Sequence, residues 1–256
     1  MAPPRKKADR STKLIRALGV LALALGVLTI SLFTIEYSRG YRADKNADKL
    51  LAAYQDQPTD SPAPLLGLST TIQPTAVISD EEANMHRIED DSDVDESGDY
   101  VQPDAPDHEG EVQALIEKII AATGDDGVIG LIEIPEIDVE LPIIGKWSYS
   151  LLKISICRYQ GPLPNHDGHL VLIGHNYKSG AHFGNLKKLK KGAELFLTDT
   201  ATNTRLRYEV YETKVIPPDG FKELKVSRGD FGLTLLTCQN EGNDRLILRC
   251  VQKDAP

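Results

Sequence analysis

The strongest pattern in the chain is one uninterrupted apolar run. Residues 17–35 read ALGVLALALGVLTISLFTI, nineteen positions without a charge. Wound as a helix at about 1.5 Å per residue, they match roughly the 30 Å hydrocarbon core of a bilayer. Arg5, Lys6, Lys7, Arg10, Lys13 and Arg16 precede the run, while only Arg39, Arg42 and Lys45 follow it closely. That asymmetry predicts a transmembrane helix over 17–35, with residues 1–16 as a cytoplasmic basic tail and the remainder outside. A cleaved signal peptide fits less well. The run is longer than a usual apolar core, and Glu36, Tyr37, Ser38 and Arg39 offer no small-residue cleavage site. No second run of this kind follows, so the chain reads as a single-pass protein of the cell membrane.

Periodicity fades beyond the run. Residues 43–56 suit a helix leaving the membrane, then Pro, Ser and Thr mix without order, and residues 80–111 carry fourteen acids against Arg87 alone. Such a tract has too little apolar surface to offset the entropy of ordering, so residues 36–110 are read as an extracytoplasmic, disordered acidic spacer, extended by its own repulsion. Its acids lack the regular spacing and glycine turn of a calcium loop. The formal charge of −9, from 29 basic and 38 acidic residues, is therefore local, and the rest of the chain is mildly basic.

Order resumes at residue 111. Val112, Leu115, Ile116, Ile119 and Ile120 repeat with helical spacing, and Gly124 suits the helix end. Short β-rich runs between turn signals follow: VIGLIEI, VELPII, HLVLIG, AELFLT, RLRYEVYETKVI, GLTLLT and RLILRCV. Seven or eight strands in the roughly 130 residues after that helix predict a closed barrel or a sandwich. The basic run KKLKKG at 187–192 has too few interleaved aromatics for nucleic acid and reads as a solvated turn.

Three cysteines are too few for a disulfide scaffold. Cys238 ends the run LTLLTC, and RLILRC follows the turn QNEGND. Paired about that turn as antiparallel strands, the runs place Cys238 opposite Arg245, so a guanidinium lies on the thiol's face, where it favours negative charge. The same register sets Cys250 opposite position 233, roughly 16 Å along the strand from Cys238 and beyond disulfide reach. Cys157 remains open as a partner for either. A cysteine nucleophile needs an imidazole, and His175, at the end of HLVLIG, sits where a strand gives way to a loop. Taken singly, a strand cysteine is more often a small core residue, and a lone strand-end histidine more often structural. His166, His169 and His175 have no ligand companions at metal spacing, so no metal site is expected.

These residues resemble the sortases, cysteine transpeptidases of the Gram-positive cell surface, over about residues 127–256. IEIPEIDVELPIIG is similar to the family's opening strands, LPNHDGHLVLIGHN to its histidine strand, FGNLKKLKKGAELFL to the segment after it, and LTLLTC with RLILRC to its cysteine and arginine strands. The resemblance implies a mainly β fold, an eight-stranded barrel with one N-terminal helix and short helices in loops. It names Cys238, His175 and Arg245 as the catalytic set and residues 111–256 as the catalytic domain. It further implies that a sorting signal similar to Leu-Pro-any-Thr-Gly on a secreted protein is cleaved through a thioester. The protein then passes to a peptidoglycan precursor or crossbridge amine, with His175 donating to the departing amine as an imidazolium. Val215, Ile216 and Thr237 are the candidate contacts for the signal. The absence of a DPW or DPF motif and of a second membrane helix sets the chain apart from the pilin-polymerising class, and the short segment before the cysteine strand sets it apart from the class associated with haem acquisition, which carries a long helical insertion there, so the anchoring class is the nearer match. No cofactor is called for, with calcium dependence left open. Two other classes stay open: an L,D-type peptidoglycan transpeptidase, although its SHGC-like run is absent, and a non-catalytic membrane-tethered binding module.

Overall fold

The structure is a computed structural model that describes residues 8–56, 109–224 and 232–253. Its first element, α1 (Ala8–Gln55), is one continuous helix of 48 residues and contains the apolar run. Among the described residues it is the one helix long and apolar enough to cross a membrane, and its apolar window is fully exposed. The helix does not stop at the run's end. Gly40, Ala43, Ala47 and Leu50 recur at helical spacing and are buried against the rest of the molecule. Gly40 is required there, because a Cβ would overlap the Ser179 side chain. The helix expected over residues 43–56 is present and joins the apolar run without a break, so the spacer assigned to residues 36–110 does not begin before Gln55, and four residues of its first part are buried. The disorder expected for 57–108 falls outside the described residues.

A second helix, α2 (Glu109–Ala121), begins two residues before the expected boundary and buries Ile116 and Ile119. Together with Leu50 and with Leu151 and Leu152 of the short α3 (Tyr149–Leu152), they form a cluster outside the barrel.

The barrel comprises β1 (Val128–Ile134), β2 (Val139–Ile144), β3 (Ile156–Gln160), β4 (His169–Ile173), β5 (Glu194–Asp199), β6 (Arg205–Ile216), β7 (Gly232–Gln239) and β8 (Asp244–Gln252). It closes in the order β1-β2-β3-β4-β7-β8-β6-β5. Seven of these strands coincide with the β-rich runs of the sequence. The eighth, β3, was not among them, since Arg158 and Gln160 interrupt its apolar pattern and only two residue pairs join it to β2.

Alternation assigns the faces of β7. Leu233 and Leu235 enter the barrel core with Leu246, Leu248 and Cys250 of β8. Leu236 belongs with Ile247, Val171 and Ile216 in a second cluster on the outer face. On that face Arg249 of β8 holds the turn at Phe221–Leu224, donating to the Glu223 carbonyl at 2.6 Å and pairing with Glu212 at 2.6 Å.

Candidate active site

The registers of three adjacent strands converge at one end of β7. The antiparallel β7–β8 ladder pairs Cys238 with Arg245 and Leu233 with Cys250, as the hairpin reading required. The parallel β4–β7 ladder runs from His169 opposite Gly232 to Ile173 opposite Leu236 at a constant offset. The Gly174 N–H continues it, donating to the Leu236 carbonyl at 3.1 Å, so the offset brings His175 abreast of Cys238. A Cβ at Gly174 would stand 2.8 Å from the Phe183 ring, which is why a glycine precedes the histidine. By alternation, Cys238 shares the outer face with Leu236 rather than the barrel interior.

Side-chain bonds pin this edge. The Asn176 amide donates to the Cys238 carbonyl at 2.7 Å, and the Thr237 hydroxyl donates to the Gly174 carbonyl at 2.7 Å. Both join the histidine strand's end to the cysteine strand's end. The loop after β4 folds back on itself: the Phe183 N–H donates to the His175 carbonyl at 3.0 Å, and Asn176 bridges to His182. The Tyr177 ring lies 5.2 Å from the His175 ring and 5.3 Å from that of His182. His182 is buried in a left-handed backbone conformation, φ 50°. Its two ring nitrogens are buried without a hydrogen-bond partner among the described residues.

Burial, with Lys153 adding to it, lowers the pKa of His175 to about 4, so its resting imidazole is neutral at physiological pH. Burial and the proximity of His175 lower that of His182 to about 3. Arg245 stands beside Cys238 by register, with its Nη1 donating to the carbonyls of Gly242 at 2.7 Å and Asp244 at 3.1 Å. These bonds fix one arm of the fork to the hairpin turn and leave its other N–H groups without a partner among the described residues.

All three cysteines are free, and only Cys238 is partly exposed. Cys157 and Cys250 are sealed in the interior, where burial pushes their thiols up, out of the range of a useful thiolate. The disulfide partner left open for Cys157 is therefore not used. His175 and Cys238 open onto a cavity of about 1290 Å³, whose far wall is α1 from Glu36 to Lys49.

The expected signal contacts fare differently. Val215 is 48% exposed, but Ile216 at 4% and Thr237 at 1% are core residues and offer a ligand no surface. Alternation turns Thr237 into the barrel, and Ile216 packs under Leu236 and Ile247. Sequence reasoning missed Asn176, Tyr177, His182 and the α1 wall, since nothing local in the chain places a helix near residue 45 over a strand end near residue 238. Among the described residues no three His, Cys, Asp or Glu side chains group as for a metal ion. The acidic run weighed for calcium lies outside them.

A closed eight-stranded barrel with a thiol and a guanidinium on neighbouring strands, and an imidazole abreast of them at the end of a third, defines a class of fold and site. Residues 132–253 match the family model of the sortase domain, and this C-terminal domain belongs to the sortase family. The chain is 30% identical over 125 residues to Sortase A of Bacillus anthracis, covering 48% of this chain and 58% of that protein. It is 29% identical over 110 residues to Sortase D of Bacillus subtilis, covering 43% and 53% respectively. Among solved structures, sortase C from Clostridium perfringens SM101 is 30% identical, with 58% of this chain and 92% of that chain covered and a TM-score of 0.45. The chain spans about half the length of the curated relatives it matches, and these include both A and D designations.

Proposed function

We propose that this protein is a membrane-anchored cysteine transpeptidase of the anchoring class. It cleaves a sorting signal similar to Leu-Pro-any-Thr-Gly near the C-terminus of secreted proteins and transfers them to a cell-wall amine. The observation that carries this reading is the alignment of His175, just beyond the end of β4, with Cys238 on β7 and Arg245 on β8. The candidate membrane span in α1 supports a cell-membrane location with the barrel outside.

The neutral resting imidazole alters the expected order of proton transfers. His175 first accepts the Cys238 proton as the sulfur attacks the carbonyl preceding the signal's last residue, and Arg245 faces the oxyanion that forms. The C–N bond then breaks, the imidazolium gives its proton to the departing amine, and a thioester remains on Cys238. An incoming neutral amine attacks that thioester. His175 takes the amine's proton and returns it to sulfur as the C–S bond breaks.

The test is a panel of peptides ending in candidate sorting signals, incubated with the detergent-solubilised full chain with and without an amine nucleophile. Signal cleavage that disappears in Cys238→Ala supports the reading. Cleavage of peptidoglycan stem peptides alone would indicate the L,D-type reaction instead. Binding of a signal without cleavage, unchanged in Cys238→Ala, would indicate a binding module.

A further inference from the structure

Two segments that the sequence left without a role meet at the catalytic cavity: the helix assigned to the spacer and the lysine run read as a solvated turn. Arg39, Arg42 and Lys49 recur every three to seven positions along α1, beside the buried stripe of Gly40, Ala43, Ala47 and Leu50. They line the same cavity as His175 and Cys238, and Lys187 and Lys188 line it from the barrel side. Eight cationic side chains in all face this space, against the carboxylates of Glu36 and Glu109. Those two are already engaged, Glu36 by Arg39 and Lys178, Glu109 by Lys45 and Lys49. Lys187 and Lys188 are exposed and form no ion pair among the described residues.

The cavity's position matters as much as its charge. Its lining begins at Glu36, the residue directly after the uncharged run, and extends to Lys49, about 20 Å further along the helix. With the run in a bilayer, the cavity opens at the headgroup level and reaches from there to the thiol. A field of this sign opposes an ammonium and favours a neutral amine next to a negative group. The side chains are largely exposed, so the effect is one that salt screens.

We infer that the cavity between α1 and the barrel is the acceptor subsite, and that it selects amines carrying a phosphate or carboxylate, brought to Cys238 along the basic face of α1. This rests on the transpeptidase reading above and specifies the second substrate, which that reading leaves as any cell-wall amine. In the transfer step the amine nitrogen bonds to the thioester carbonyl and the C–S bond breaks. The amine's proton passes through His175 to the sulfur, and the anionic group stays paired with the cavity's cations.

The test compares 2-aminoethyl phosphate with 2-methoxyethylamine, a primary amine without an anionic group, as acceptors for the full chain in nanodiscs, measured as the ratio of their kcat/KM values. The expected ratio is roughly tenfold or more in low salt, falling toward one at high salt. It should also fall toward one in the combined Arg39→Gln, Arg42→Gln, Lys49→Gln variant, through the KM for the phosphate rather than kcat. A bilayer arm with phosphatidylethanolamine in the nanodisc separates a lipid headgroup from a soluble anion as the source. Capture of that lipid assigns a membrane-borne acceptor, and capture of 2-aminoethyl phosphate alone assigns a soluble one.

Binding of 2-aminoethyl phosphate to the Cys238→Ala chain by calorimetry reads the subsite without chemistry. If no thioester forms but this binding occurs and is lost in the charge variant, the anion site stands and the transpeptidase reading falls. If a thioester forms but is captured at equal rates by both amines, in wild type and variant alike, the subsite inference is overturned. Absence of both thioester and binding overturns both.

Discussion

The His175 imidazole is kept neutral chiefly by burial and secondarily by the Lys153 charge, and both causes have measurable consequences. If neutral His175 accepts the thiol proton, the acid limb of kcat/KM for acylation should fall near pH 4 to 5 rather than at the 6.5 of an unperturbed imidazole. Replacing Lys153 by Gln removes a charge that lowers the pKa, so the limb should move to higher pH. A wild-type limb near 6.5, or one indifferent to Lys153→Gln, would contradict this. His182 provides a stability counterpart. Its lowered pKa means that the unfolded chain takes up a proton near pH 6.5 while the folded one stays neutral down to about 3. Stability therefore falls as pH drops through that window, by about 2 kcal/mol between pH 7 and pH 5 from this one group. The carboxylates lowered by ion pairing, Glu133 by Arg205 and Glu223 by Lys214, lose their contribution only further down. Urea unfolding of His182→Asn at pH 7 and pH 5 should show a correspondingly smaller difference; an unchanged difference would exclude His182 as its source.

At the scale of elements, the site is a matter of ladder register, and this explains what was legible in the sequence. The pairing of Cys238 with Arg245 follows from a short turn between two apolar runs, a local relation that counting recovers. So does the separation of Cys250 from Cys238, fixed by the same hairpin. The place of His175 at a strand end is a local signal, but its alignment with Cys238 depends on a parallel pairing of β4 and β7 across more than sixty residues, which no local pattern encodes. Thr237 illustrates a related point: adjacency in sequence to the cysteine places it on the opposite face of β7, where it is buried. Its hydroxyl instead bonds the Gly174 carbonyl from inside the barrel. Thr237→Val should therefore cost about 1 to 2 kcal/mol, because a buried carbonyl loses its partner. It should also slow acylation by loosening the β4–β7 junction. Unaltered stability and rate would remove the bond from the account.

Across the whole molecule, α1 packs against the rest of the chain through two buried clusters, an arrangement illegible in the sequence because α1 meets residues over a hundred positions away. Leu50 of α1 packs with Ile116, Ile119, Leu152 and Ile154, and Ala47 joins the barrel core. A chain lacking residues 1–56 should accordingly be less stable than one lacking residues 1–35 by at least about 2 kcal/mol, the contribution of a buried leucine. The two can be compared by urea unfolding followed through Trp147, whose ring packs 5.7 Å from that of Tyr159. Equal stabilities would mean that the second half of α1 does not dock. On the proposed reading, strand register makes one of the three thiols a nucleophile. Intact-mass and peptide mapping of the full chain, quenched during turnover of a sorting-signal peptide, examines it directly. The expected outcome is an acyl adduct on Cys238, none on Cys157 or Cys250, and at least about a hundredfold slower adduct formation in His175→Ala and Arg245→Lys. An adduct on either buried cysteine, or wild-type rates in those two variants, would contradict it.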